Sequence, residues 1–166
     1  VSNTEAKEKT LRHFNETADD YTSTHDGRFV QPMYAPLLTE LEHFNSGRLL
    51  DIGCGNGDFF GLIKDKGMEL HGIDLAENMV KVAQERYGDI ADIILADAEN
   101  LPFQDGMFDI IICNASFHHY IRPKEVLTQM RRVIKDNGAL LIGCLLYTYD
   151  AADDLLCVDL AGLGQI

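Results

Sequence analysis

Three glycines alternate with other residues directly after an apolar stretch that ends in an acid. Residues 49–57 read Leu-Leu-Asp-Ile-Gly-Cys-Gly-Asn-Gly. The acid is Asp51, and the glycines are Gly53, Gly55 and Gly57. Because glycine has no Cβ, it permits positive φ angles and close contact between the backbone and a ligand. The pattern predicts a strand followed by a loop that binds a nucleotide-like ligand.

The acids around this loop indicate which ligand it suits. The dinucleotide pattern G-x-G-x-x-G needs a third glycine at position 58, where this chain has Asp58. Carboxylates at Asp51 and Asp58 would repel a pyrophosphate at the start of the next helix. S-adenosylmethionine (SAM) has no phosphate and carries an ammonium and a sulfonium, which acids bind through charge-assisted hydrogen bonds. The loop therefore favours SAM.

Four motifs in one order extend this interpretation. After the glycine loop come Glu-Leu-His-Gly-Ile-Asp at 69–74, Ile-Ile-Leu-Ala-Asp-Ala at 93–98, and Leu-Pro-Phe at 101–103 followed by Phe-Asp and an apolar run to 113. Asp74 lies 21 residues after Gly53, and ribose recognition places an acid about 20 residues after a glycine loop. From about Asp51 to Leu146, the chain resembles the class I SAM-dependent methyltransferases of the small-molecule and quinone-biosynthesis branch.

The resemblance implies a set of cofactor-binding residues. The expected contacts are Asp51, Gly53 and Gly55 with the methionine end, Asp74 with the ribose, Leu75 and Met79 with the apolar face of ribose and adenine, Asp97 and Ala98 with the adenine, Asn114 with the sulfonium side, and Tyr21 from a lid. His25 resembles a second lid residue. Strand-end capping stays open as the role of Asp51 and Asp74, and a structural role stays open for Asn114.

Two adjacent histidines are the candidate catalytic residues. Residues 116–120 read Ser-Phe-His-His-Tyr and follow the fourth predicted strand, where ligands bind in open α/β sheets. His118 or His119 is suited to act as a general base because a neutral imidazole accepts a proton near pH 7. A structural role for the pair stays open.

Alternating apolar strands and helical patterns predict an α/β fold with a parallel sheet. Strands are expected near 48–52, 69–73, 91–96, 108–113 and 139–146, with helices near 57–66, 76–87 and 122–135. Asn137-Gly138 is expected to stop the last helix with a left-handed residue. The resemblance implies a Rossmann-like, doubly wound sheet of order 3-2-1-4-5 with helices on both faces. Helices over 4–25 and 31–43 would form the lid.

Only twenty residues follow Leu146, whereas the family adds a helix and an antiparallel hairpin that need about 50 residues. The late hairpin is therefore expected to be missing, and the tail has room for one helix. An exposed fifth strand would be a pairing site. We expect the tail, a second subunit in a homodimer, or residues beyond this sequence to cover it.

Composition limits the other possibilities. With 166 residues and 46% hydrophobic content, the chain has room for one core. We expect a single domain over 1–166, with a helical lid at 1–45, a cofactor-binding core at 46–146 and a tail at 147–166. A net charge of −13 opposes binding to nucleic acid. No apolar run approaches the roughly 20 residues of a membrane span, and the beginning of the chain does not resemble a signal peptide, so we expect a cytoplasmic protein.

The four cysteines form no C-x-x-C pair, which favours free thiols over a metal site. The sequence therefore predicts methyl transfer from SAM to a small-molecule acceptor by in-line displacement. Two alternatives stay open: an NAD-dependent oxidoreductase, and a non-catalytic SAM-binding module or fragment that needs a partner chain. The missing glycine at position 58 and the presence of Asp97-Ala98 argue against the oxidoreductase.

Overall fold

The structure is a computed structural model that describes residues 3–145 and 155–159, with side chains over residues 4–143. The α-helices in this part of the chain are α1 (Asn3–Thr17), α2 (His25–Val30), α3 (Tyr34–Glu40), α4 (Asp58–Ile63), α5 (Glu77–Tyr87) and α6 (Pro123–Val133). The strands are β1 (Arg48–Ile52), β2 (Glu69–Asp74), β3 (Ala91–Leu95), β4 (Phe108–Asn114), β5 (Ile134–Leu145) and β6 (Leu155–Asp159).

The strands form one sheet in the order β3-β2-β1-β4-β5-β6. Strands β1 to β5 are parallel, and β6 pairs antiparallel with β5. The predicted α/β class and the order 3-2-1-4-5 are thus confirmed. The chain runs outward from β1 to β3 and then returns to β4 on the other side of β1, so a topological switch point lies between β1 and β4.

Helices cover both faces of the sheet, which explains why its strands are continuously apolar. Leu49 and Leu50 are adjacent in β1 and both fully buried, and they belong to core clusters on opposite faces. One cluster packs under α3, α4 and α5. The other packs under α6, through side chains such as Val126 and Met130. Because strand side chains alternate between the two faces, each central strand contributes to both cores.

The end of α6 differs from the prediction. The helix ends at Val133 and β5 begins at Ile134, so Asn137-Gly138 lies inside the strand and Gly138 does not have a positive φ. Phe108 pairs with Ile134 whereas Ile110 pairs with Ala139, which makes residues 135–138 a bulge. A Cβ at position 138 would lie 2.5 Å from the side chain of Ile134. Glycine therefore serves close packing here, and the predicted helix stop is wrong.

The lid is also more broken than predicted. The single helix expected over 4–25 is α1 followed by a 3₁₀ turn at Tyr21–Ser23 and by α2. Thr24 caps α2 by accepting a hydrogen bond at Oγ1 from the Gly27 N–H, at 3.0 Å. The helix expected over 31–43 is a 3₁₀ turn, α3 and a second 3₁₀ turn, because prolines at 32 and 36 remove two amide donors.

The tail contributes a strand where the sequence analysis left room for one helix. Strand β6 pairs with the outer edge of β5, from Leu141↔Asp159 to Leu145↔Leu155. The sequence analysis expected the tail, a second subunit or further residues to cover the fifth strand, and in the structure a segment of the tail covers it. The rest of the predicted tail, residues 147–154 and 160–166, lies outside the described residues. Among the described residues, no helix is long and apolar enough to cross a membrane.

Close packing fixes the position of α4 on the sheet. Gly72 lies within β2, opposite Asp51 of β1 and Ile93 of β3. A Cβ at this position would lie 2.7 Å from Cζ of Phe60 and 3.0 Å from Sγ of Cys54. Phe60 belongs to α4 and is fully buried, so the added methyl would press on a ring inside the core.

We expect the Gly72→Ala substitution to lower the free energy of unfolding by roughly 1–3 kcal/mol, because the added methyl overpacks the contact with Phe60. Urea denaturation measures the loss. In a Phe60→Leu background the same substitution should cost less, since the smaller side chain leaves room for the methyl. An equal cost in both backgrounds would contradict the packing explanation.

Candidate functional site

A cleft lies at the carboxyl ends of β1, β2 and β4, beside the topological switch point. The glycine loop forms its floor, and α1 with the segment after it forms the opposite wall. All ten residues predicted to bind a cofactor line this cleft: Tyr21, Asp51, Gly53, Gly55, Asp74, Leu75, Met79, Asp97, Ala98 and Asn114. The structure therefore brings together residues that are up to 93 positions apart in the sequence, from Tyr21 to Asn114.

The glycine loop turns in a way that other residues rarely adopt. Gly53, Gly55 and Gly57 have φ angles of 77°, 55° and 80°. A Cβ on Gly53 would lie 2.6 Å from Oγ of Ser116, so the loop and the segment after β4 pack without a side chain between them. The expected backbone geometry of a loop that approaches a ligand closely is present.

Asp74 holds the loop in place. Its Oδ2 accepts a hydrogen bond from the Gly55 N–H at 2.9 Å, and its Oδ1 accepts one from the Ala76 N–H at 2.8 Å. Burial raises the pKa of Asp74, and the bonds from Ala76 and Gly55 oppose the rise. Asp74 therefore does cap the backbone at the end of β2. A carboxylate has about four acceptor sites, so these two bonds leave acceptor capacity for a ligand.

Two buried oxygens in the cleft lack partners. Within the described residues, neither Oδ1 of Asp51 nor Oδ1 of Asn114 accepts a hydrogen bond. Asp51 is only 4% exposed, and burial together with the charge of Asp74 raises the pKa of Asp51 to about 7. Leaving buried acceptors unpaired costs about 1–3 kcal/mol each. A ligand with a cationic hydrogen-bond donor would satisfy both the acceptors and the charge.

A hydroxyl cluster supports the floor from below. Ser116 donates from Oγ to the Ile52 carbonyl at 2.9 Å, and Tyr120 donates from its hydroxyl to Ser116 Oγ at 3.1 Å. Burial raises the pKa of Tyr120, which keeps it protonated as a donor. Ala115, with φ of 54°, has the one positive φ of a non-glycine residue in the described chain. Such strain is typical of functional sites.

The two histidines are not equivalent. His119 lines the cleft, whereas His118 is not among its lining residues. The His119 ring packs edge-on against Phe14 of α1, with ring centroids 5.3 Å apart. Desolvation and the neighbouring His118 lower the pKa of His119, so its imidazole is neutral near pH 7. The candidate base is therefore His119.

The two predicted lid residues also differ. Tyr21 lines the cleft, and burial followed by the charges of Asp26, Asp74 and Asp58 raises the pKa of Tyr21 to about 12. Its hydroxyl is thus a neutral donor. His25 does not line the cleft: its side chain is 87% exposed, stacks on Phe29 and lies 3.5 Å from Asp26. The expected place of His25 in the lid over the cleft is wrong, because the turn after Tyr21 points it outward.

Lys7, Asn56 and Tyr120 are among the cleft residues that the sequence analysis missed. Nζ of Lys7 lies 2.7 Å from Oδ2 of Asp97. Asn56 donates from Nδ2 to Thr22 Oγ1 at 2.9 Å, which ties the glycine loop to the segment after α1. Tyr120 belongs to a segment singled out for its histidines. The alternation of the glycines was the only signal that surrounded Asn56, and no local pattern marked Lys7.

Comparisons with known proteins agree with this geometry. Residues 50–142 match the family model described as "Methyltransferase domain". A demethylmenaquinone methyltransferase of Thermotoga maritima is 37% identical over 100 residues, which are 59% of this chain and 43% of that protein. An uncharacterized methyltransferase of Staphylococcus carnosus is 34% identical over 137 residues, which are 78% of this chain and 64% of that protein. The chain therefore spans less than two thirds of these relatives.

The fold is shared with a solved structure. The phosphoethanolamine N-methyltransferase 1 of Haemonchus contortus, solved with phosphoethanolamine and S-adenosylhomocysteine, superposes with a TM-score of 0.73. The match covers 87% of this chain and 33% of that protein at 18% identity. At this identity the likeness concerns the fold alone.

The buried charge of Asp51 should make stability depend on pH. The pKa of Asp51 is about 7 in the folded chain against an ordinary value of 3.8. The stabilisation by protonated Asp51 is therefore fully present below about pH 4 and is lost as the pH rises through 7, so the free energy of unfolding falls. We expect Asp51→Asn to raise the free energy of unfolding of the ligand-free protein by roughly 2–4 kcal/mol near pH 8, with little change below pH 4.

Urea denaturation across this pH range measures the difference from the wild type. Asp65→Asn is the matched control because Asp65 is exposed, and it should leave the pH profile unchanged. A pH-independent effect of Asp51→Asn would mean that Asp51 is not the titrating group.

Proposed function

The chain belongs to the SAM-dependent methyltransferase family, and on that premise we propose that it transfers a methyl group from SAM to a small-molecule acceptor. The observation that carries this proposal is the pair of unpartnered buried oxygens on Asp51 and Asn114. Asp51 and Asn114 both line the cleft, as the glycine loop does. Both oxygens need a hydrogen-bond donor, a cationic donor suits the carboxylate best, and the methionine part of SAM carries an ammonium.

The charge of the cleft suits the cofactor, and its glycines leave space for a ligand. Asp51 retains its proton up to a pH of about 7 without a partner, so a cation placed beside it would stabilise the carboxylate form. Gly53 and Gly55 leave room for a ligand against the backbone. We therefore assign Asp51, Gly53, Gly55 and Asn114 to the methionine end and the sulfonium side.

The other end of the cleft suits the nucleoside. The free acceptor capacity of Asp74 would hold the ribose hydroxyls, with Leu75 and Met79 against the apolar face. Asp97 and Ala98 follow β3 and would bind the adenine. Tyr21 would contribute a hydroxyl donor from the lid. These assignments are proposals that rest on the family's motifs and on the common location of the residues.

Bound SAM would supply a methyl group on a sulfonium. The acceptor displaces the sulfur in line, and the sulfur leaves as a neutral thioether. The chain's own contribution is mainly to hold and orient. Orientation is worth roughly 7–11 kcal/mol, whereas a general base contributes about 10²–10⁴ in rate, which is roughly 3–5 kcal/mol. Apolar rings of Phe14, Tyr34 and Phe59 line the cleft and would exclude water from the reacting centre.

His119 is the residue that we propose moves a proton. Its neutral imidazole has a nitrogen free to accept one from the acceptor's nucleophilic group. The ring centroids of His118 and His119 lie 3.9 Å apart, but His118 does not line the cleft.

A small molecule is the acceptor class that the observations favour. The Thermotoga relative is named for a small-molecule quinone precursor, and the net charge of −13 opposes attraction to a phosphate backbone. A homodimer through the exposed sheet edge at the fifth strand or through the tail stays a prediction, as do the single domain over 1–166 and the cytoplasmic location.

Isothermal titration with SAM and with S-adenosylhomocysteine tests the cofactor site. We expect binding of the wild type that weakens by at least about tenfold, ~1.4 kcal/mol, in Asp74→Ala, because the substitution removes the acceptor and releases the Gly55 N–H. Asp65→Ala should bind as the wild type does. No binding by a folded wild-type chain would contradict the proposal, and binding without turnover on a broad acceptor panel would favour a non-catalytic module.

The histidine assignment predicts a split between binding and turnover. Once an acceptor is found, His119→Gln should lower kcat by about 10²-fold or more while the Kd for S-adenosylhomocysteine changes less than about twofold, since the cofactor residues are intact. His118→Gln is the matched control, and it should affect kcat far less. Equal effects of the two substitutions would show that neither is the base.

A further inference from the structure

Helix α1 contacts the rest of the molecule at several places, and two of its polar attachments lie near its two ends. Near its end, Asn15 accepts a hydrogen bond at Oδ1 from the Asn78 N–H at 2.9 Å, and its carbonyl accepts one from Asn78 Nδ2 at 3.0 Å. Near its beginning, Lys7 pairs with Asp97. Between these points Leu11 and Phe14 pack on a small cluster that includes Met79. The two attachments lie at opposite ends of the cleft wall.

The Lys7 attachment joins three parts of the chain. Nζ of Lys7 lies 2.7 Å from Oδ2 of Asp97 and 4.0 Å from Oε2 of Glu99. Glu99 is in turn held by the guanidinium of Arg122, whose Nε donates to it at 2.8 Å. The network therefore links α1, the loop after β3 and the residue before α6. Lys7, Asp97 and Glu99 all line the cleft.

Both oxygens of Asp97 already accept a hydrogen bond. Oδ2 accepts from Lys7, and Oδ1 accepts from the Glu99 N–H at 3.0 Å. Burial would raise the pKa of Asp97, but the bonds from Lys7 and Glu99 outweigh it and hold the pKa below its ordinary value. Each carboxylate oxygen has a second acceptor site, so a ligand amino group can share Asp97 with Lys7.

We propose that Lys7 is a positioning residue for the cofactor, which acts through Asp97 to hold α1 closed over the adenine end of the cleft. This inference rests on the proposed function, because it takes Asp97 as the adenine ligand. Cofactor affinity and closure of α1 are then coupled through one ion pair. Lys7 strengthens binding by keeping the wall in place, and it keeps Asp97 charged as an acceptor.

The solvent exposure of the Lys7–Asp97 ion pair sets the expected size of its effect on cofactor affinity. The side chains of Lys7 and Asp97 are 35% and 37% exposed, and ion pairs of this kind shift an equilibrium by a few-fold, less in high salt. A deeply buried pair would shift it far more. The contribution of Lys7 should thus be small, measurable and dependent on salt.

The test compares Lys7→Met and Lys7→Arg with the wild type. Lys9→Met is the matched control, because Lys9 lies on the same helix and is exposed. In the ligand-free protein, hydrogen exchange of the α1 amides that are bonded within the helix, residues 7–14, should become about threefold faster in Lys7→Met. It should stay near the wild-type rate in Lys7→Arg and Lys9→Met. In an Asp97→Asn background, Lys7→Met should add little, because the ion pair is already lost.

The second measurement is S-adenosylhomocysteine affinity by calorimetry in about 0.05 and 0.5 M NaCl. At low salt the Kd of Lys7→Met should be about three- to fivefold higher than that of the wild type, and the difference should shrink at high salt. Arginine should restore the affinity. Unchanged or tighter binding in Lys7→Met would overturn the proposal, since tighter binding would mean that Lys7 competes with the ligand for Asp97.

The exchange and affinity measurements together distinguish a failure of the role of Lys7 from a failure of the proposed function. If the wild type does not bind S-adenosylhomocysteine, the proposed function fails, and the role of Lys7 toward the cofactor fails with it. If the wild type binds but neither exchange nor affinity responds to Lys7→Met, the proposed function stands and only the role of Lys7 is refuted.

Discussion

Two carboxylates, buried Asp51 and partly buried Asp74, lie near the ends of the neighbouring strands β1 and β2, and their charge is the constraint that organises the cleft. The two strands pair in parallel, so their ends meet at one edge of the sheet. Asp74 is compensated by the loop amide of Gly55 and by Ala76. Asp51 is not compensated, and its pKa rises to about 7. The ligand-free protein thus stores an unfavourable charge that a cation can relieve.

Close packing of the backbone around these acids fixes their positions at the cleft. Glycines with positive φ let the loop pass under the cleft, while Ser116, held by the Tyr120 hydroxyl, donates to the Ile52 carbonyl just before the loop. Gly143 of β5 leaves the space that the Asn114 side chain occupies, because a Cβ at position 143 would lie 2.4 Å from Oδ1 of Asn114. The unpartnered oxygen of Asn114 is therefore held by close packing, which makes its orientation a property of the fold and not of a flexible side chain.

The sequence predicts the parts of this arrangement that depend on local chemistry. Asp51, Asp74 and Asp97 each follow an apolar strand, and parallel strands end at the same edge, so their common location follows from the pattern. Asn137-Gly138 shows where local rules fail, because pairing with β4 outweighs the tendency of that dipeptide to end a helix. Lys7 and Lys9 look alike in sequence, and only the tertiary fold places Lys7 against a partner 90 residues away.

The contrast between core and lid has a physical reason. Strands β1 to β5 pack in two large buried clusters, whereas α1 rests on a cluster of only four buried residues, Ala18, Ala76, Met79 and Val82. Its polar attachments are exposed or half-exposed. Elements with little apolar burial open at low free-energy cost. A wall held in this way can open while the floor of the cleft stays fixed.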